Sequence, residues 1–201
     1  MSNNKKIEER GGVLIIFFVA IFAMLRVVNS TLEDKITTAN NQQVKYSDWY
    51  NAKSIKQVMK ENENVYLKAL FDTGMVEPEH SAVLQTKIQT TSALIAKYES
   101  EKTEILLGSA NIPKYSWTQD LNGEMGKIIG LQEWEKISNA NLKSVAKIDL
   151  GLLFIEISIL FGLVLIIIHD NVKLQNVFTI LMVVTGLVGI AISFYGFALS
   201  L

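Results

Sequence analysis

The chain has 201 residues, with 19 Lys and Arg against 20 Asp and Glu, two His, two Pro and no Cys. The absence of Cys removes disulfides, thiolate metal sites and cysteine nucleophiles, and a formal net charge of −1 provides no basic field to attract nucleic acid. Mean hydropathy is nevertheless positive, +0.26, so the apolar residues must be concentrated in a few segments, as in a membrane protein.

A tail over residues 1–10 carries Lys5, Lys6 and Arg10 and leads into the first apolar run, residues 11–28, which contains Arg26. A secretory signal is the competing reading, but Arg26 sits where such a signal is neutral, so the run reads as an uncleaved anchor. Residues 148–168 form a second run, interrupted by Asp149 and Glu156, and residues 177–199 a third without any charge. Each is close to the roughly 20 residues needed to cross a hydrocarbon core. Only residues 169–176 separate the second and third runs, short enough to require a tight helical hairpin. The predicted fold class is therefore all-α, an integral membrane protein with three transmembrane helices and an insert over residues 29–147.

By parity, the N-terminus shares one side of the membrane with the hairpin loop, and the insert shares the other with the C-terminus. Lys5, Lys6, Arg10 and Lys173 favour a cytoplasmic N-terminus and an extracytoplasmic insert.

The insert reads as long helices. No Pro or Gly occurs between Ser30 and Phe71, and Ser30-Thr31-Leu32-Glu33 fits a capping box, unless the first span runs straight on and Ser30 is interior. Ala52, Ile55, Met59, Tyr66 and Ala69 follow a 3,4 spacing with Asn62 in the seam, which reads as packing within the chain or as a subunit interface. Gly74 and Glu77-Pro78-Glu79 make a break. A second helix to about Leu107 carries Leu84, Ile88, Thr91, Ile95, Tyr98, Lys102 and Ile105 on a 4,3 spacing, while Glu99, Glu101 and Glu104 read as its wet face. Gly108 to Tyr115 is the second turn, and a third helix is expected from Ser116 to Leu121 onward. The first of these helices would extend on the order of 60 Å by helix rise, giving an elongated, coiled-coil-like stalk. A β-sheet or a compact insert would contradict that stalk.

No phosphate loop, nucleotide-binding glycine fingerprint, nucleophile elbow or paired-His zinc motif is present, and His80 and His169 lack catalytic partners in the pattern. No catalytic residue, cofactor or metal site is predicted. Ionisable residues inside the spans are more informative, because charge at depth is costly and usually has a partner or a task. Arg26 and Asp149, both near the insert side, are expected to pair within or between subunits. Glu156 lies roughly 12 Å deeper than that surface, with Ser193 and Tyr195 as expected hydroxyl neighbours. It reads either as a polar residue holding helices together or as a proton or cation site lining a pore. Gly186, Gly189, Ser193 and Gly196 form a small-residue face on the third span, and Ser158 and Gly162 a matching pair on the second, for packing within the hairpin or between subunits.

The run Asp48-Trp49-Tyr50-Asn51-Ala52-Lys53-Ser54-Ile55-Lys56, Asp149-Leu150-Gly151 opening the second span, and the Gly-rich third span resemble the bacterial domain of unknown function 4337 family. The resemblance implies an N-terminal span, a helical insert and a C-terminal hairpin in a bacterial inner membrane, and brings no activity. Related sequences are rich in basic residues between spans two and three, where this chain has only Lys173 and His169. Together these readings lead us to expect a non-enzymatic, homo-oligomeric scaffold in the lipid bilayer, whose stalk assembles copies or binds a protein partner, with an ion or proton conduit around Glu156 as the alternative.

Overall fold

The computed structural model describes residues 3–121, 123–168 and 171–200, without side chains for residues 3–8. Among these residues the elements in order are α1 (Asn3–Asp72), α2 (Pro78–Leu107), two short 3-10 turns (Ser109–Asn111 and Lys114–Ser116), β1 (Asp120–Leu121), β2 (Glu124–Met125), α3 (Leu131–Ile167) and α4 (Val172–Ala198). The 70-residue α1 contains Ser30 as an interior residue, which decides between the two readings of its start. Three stretches are long and apolar enough to cross a membrane, within Glu9–Asp72, Leu131–Ile167 and Val172–Ala198. The chain divides into two compact units, one comprising Met1–Thr38 with Ile137–Leu201 and the other Ala39–Lys136.

In the first unit, Phe18, Ile155 and Met182 form a core joined by Leu14, Ile15, Ile21 and Ile190, and Leu32, Ile148 and Leu152 form a second cluster. The loop between α3 and α4 is shorter than the expected residues 169–176. Asn171 caps α4 by accepting a 3.1 Å hydrogen bond from Leu174 N–H, which draws Val172–Asn176 into the helix. His169 and Asp170 lie outside the described residues.

In the second unit, the buried or half-buried positions of α2 include Leu84, Ile88, Thr91, Ile95, Tyr98, Lys102 and Ile105, the seven that share the 4,3 spacing. Two expectations fail here. The third helix begins at Leu131 and not at Ser116–Leu121, because the backbone between turns through Gly123 and Gly126 at φ +86° and +80°, values that L side chains resist. Asp120–Leu121 (β1) and Glu124–Met125 (β2) instead pair as a two-residue antiparallel ladder, Asp120 with Met125 and Leu121 with Glu124. The three-helix insert is thus replaced by one built on two long helical segments, residues 39–72 of α1 and α2, with this ladder and irregular backbone where a third helix was expected to begin.

Candidate functional site

The segment of α1 from Tyr46 to Phe71 has two faces with opposite uses. On one face Lys53 Nζ lies 2.6 Å from Glu101 of α2, whose other oxygen is 3.8 Å from Lys97. Gln57 donates to Glu99 at 2.9 Å and accepts from Lys102 at 3.0 Å, and Asn64 donates to Ser92 Oγ at 3.0 Å. Lys60 donates to Glu63 at 2.6 Å, with Lys87 of α2 3.8 Å from the same carboxylate. The Lys60 contact holds the Glu63 carboxyl below the usual carboxylate range and raises Lys60 in turn.

Aromatic rings continue this α2-facing side. Tyr46 is buried in a core with Ile105 and Ile128, flanked by Trp49, Tyr50 and Trp134, and burial raises its phenol above the ordinary value. Lys102 sits 5.3 Å over the Tyr50 ring and Lys53 5.8 Å from that of Tyr98. Trp49, Tyr50 and Lys53 of the family-like run are thus packing residues of this contact.

The other face of the same helix is apolar and uncovered. Ile55, Val58, Met59, Val65 and Tyr66 are between 53% and 68% exposed, and Ala52, Asn62 and Ala69 are exposed with them. Helical spacing puts these residues on the side of α1 roughly opposite Lys53, Gln57, Lys60 and Asn64. Amphipathic helices ordinarily turn their apolar side inward. Here the polar side packs within the unit and the apolar stripe is left free, which answers whether that stripe serves packing within the chain.

Glu104 and Glu101, read as wet, are 0% and 4% exposed. Glu104 anchors the irregular segment that follows α2: it accepts from Ser109 Oγ at 2.7 Å and from the backbone N–H of Thr118 and Gln119 at 2.7 and 2.8 Å. Ser109 Oγ in turn accepts from Ile128 N–H at 3.0 Å. Helical period alone could not expose this role, since the donors come from a non-helical segment. Glu77, Glu79 and His80 bring ligand-type atoms within 4.8 Å of one another, all of them exposed.

In the first unit, Arg26 and Asp149 do not pair within the chain. Asn29, one turn beyond Arg26 and 1% exposed, faces α3 and donates to Asp149 at 2.9 Å and to Glu33 at 3.2 Å, while Arg26 lies 5.7 Å from the centre of the Phe22 ring. Glu156 faces outward from this unit, next to buried Ile155. Ser193 is not its neighbour: a Cβ built on Gly151 would collide with Ser193 Oγ, so the two residues lie opposite each other, five positions along α3 from Glu156. Tyr195 is 59% exposed and lies beyond Ser193 along α4, farther again from the level of Glu156.

The small residues line the α3–α4 contact. A Cβ on Gly189 would lie 2.6 Å from Gly151 O, one on Gly196 2.8 Å from Lys147 Cβ, and one on Gly186 would strike the Phe18 ring and come within 2.8 Å of Ser158 Oγ. Gly162 faces Met182 and Ile15 in the same way. Ser158 Oγ donates to Met182 O at 2.7 Å, and Ser144 Oγ donates to Gly196 O. Direct backbone approach of this kind explains why glycine and serine recur there.

A family described as a domain of unknown function, number 4337, matches residues 7–199. No curated protein and no solved structure matches the chain.

Proposed function

The chain belongs to the domain of unknown function 4337 family, and we propose that it is a non-enzymatic, self-associating membrane scaffold. One observation carries this reading: the insert turns a polar face of α1 onto α2 and leaves the apolar stripe around Ile55, Val58 and Val65 uncovered. An apolar surface in water marks an interaction site, and a copy of the same protein is the partner always at hand. The insert then assembles copies, or holds a protein partner, while the three apolar helices anchor it in a bacterial inner membrane.

Basic residues Lys5, Lys6 and Arg10 support a cytoplasmic N-terminus with the insert outside. The conduit reading has less support, because the small-residue face of α4 packs against α3 and Phe18 and so leaves no polar lumen at that contact. The test is the mass of the purified chain in mild detergent by light scattering. The scaffold reading requires a defined multiple of the chain mass, and a monomer at all concentrations overturns it.

A further inference from the structure

The uncovered stripe has a heptad order that says how copies would meet. Ile55, Asn62 and Ala69 recur every seven residues, with Val58 and Val65 three positions after the first two, and Met59 and Tyr66 beside them. This is the a and d pattern of a two-stranded seam, with Asn62 as a polar a residue between Ile55 and Ala69. Asp48 and Asn51 occupy the preceding a and d positions, with exposed Val44 a turn before them, so the strongest contact lies between Ile55 and Ala69.

We infer that α1 pairs with α1 of a second copy, in parallel and in register, along Ile55, Val58, Asn62, Val65 and Ala69, with the Asn62 amides meeting across the seam. The inference rests on the self-association proposed above and specifies its geometry. A carboxamide both donates and accepts, so Asn62 is satisfied by an identical amide at the same level and by nothing in an apolar partner. Direction follows from membrane insertion: copies anchored through the N-terminal part of the same helix run the same way. Anchoring also raises their effective concentration, so a seam of about two heptads is sufficient. The positions flanking it, Ser54, Glu61 and Lys68 on one side and Met59 and Tyr66 on the other, offer no single-sign field to repel a copy.

The chain has no Cys, so single-cysteine variants report the geometry directly in intact membranes. Ile55→Cys and Val65→Cys are expected to form disulfide-linked dimers under mild oxidation, at least about tenfold more than Gln89→Cys on the exposed side of α2. Asn62→Leu is expected to associate more tightly but to lose its single defined mass, since the buried amide fixes register at a cost in stability. Cross-linking of Ile55→Cys only with Ala69→Cys chains would overturn the parallel register. Equal cross-linking at Gln89→Cys would overturn the seam. Should no variant cross-link while light scattering still shows an oligomer, the seam fails and the scaffold stands; a monomer defeats both.

Discussion

Lys53 Nζ lies 2.6 Å from the buried carboxylate of Glu101, and this pair fixes which side of α1 is turned to α2. Removing one partner of a buried pair leaves an uncompensated charge, whereas replacing both with apolar groups removes the problem. Lys53→Met is therefore expected to destabilise the insert by about 3 kcal/mol, with Lys97 at 3.8 Å too distant to compensate fully. Lys53→Met/Glu101→Leu should recover most of that loss. Amide hydrogen exchange across α2 in the full chain measures both.

Glu104 holds together a segment with no regular structure of its own. Glu104→Ala leaves the Thr118 and Gln119 N–H groups and the Ser109 hydroxyl without their acceptor, and a loss of about 3–5 kcal/mol is expected from those buried donors. Glu104→Gln keeps one acceptor oxygen and should cost roughly half as much. Exchange protection of the Gln119 and Ile128 amides reads this locally; protection unchanged in the alanine variant would refute the anchoring role.

Much of this fold is legible in the sequence, and the illegible part has a physical cause. The three apolar runs and the 4,3 spacing from Leu84 to Ile105 give the three helices long and apolar enough to cross a membrane and the inward side of α2 directly, because each depends only on local pattern. The inward side of α1 does not follow that rule: from residue 53 to 64 its contact with α2 is made by Lys53, Gln57, Glu63 and Asn64, and a polar contact has no hydropathy signature. Residues 116–130 mislead for a related reason. Their shape is set by Glu104 and Ser109, partners outside the segment that local propensity cannot register. Near the end of the first apolar run, Asn29 and not Arg26 meets Asp149, a difference of three residues that decides which side of the helix faces α3.

Tyr46 supplies a pH test. Burial raises its phenol above the ordinary value, so folding favours the protonated form. The associated stability is present below the unfolded phenol's pKa, about 10, and is lost as pH rises through the higher folded value. Ultraviolet titration should show a late tyrosine step above the ordinary phenol range, with the core around Ile105 and Ile128 opening in the same range. Tyr46→Phe should remove that late step; its persistence would assign it elsewhere.

The hairpin makes a contrasting pair of glycine predictions. A side chain on Gly151 meets Ser193 Oγ and lies 2.6 Å from Gly189 O, so Gly151→Val is expected to force α3 and α4 apart and cost about 2–3 kcal/mol. A Cβ on Gly12 meets nothing within 4 Å, and Gly12→Ala should be neutral or stabilise by about 0.5–1 kcal/mol through helix propensity. Thermal unfolding in detergent compares them, and equal behaviour would remove the close helix approach from the account.

The central claim, that the uncovered side of α1 joins copies of the chain, is tested most directly by the mass of Ile55→Asp/Val65→Asp in mild detergent. Both side chains are more than 60% exposed and make no contact that holds the insert together, so helicity should match the unaltered chain. The account predicts that the unaltered chain runs as a defined oligomer and the double variant as a monomer. An unchanged oligomeric mass for the variant, with helicity intact, would contradict it.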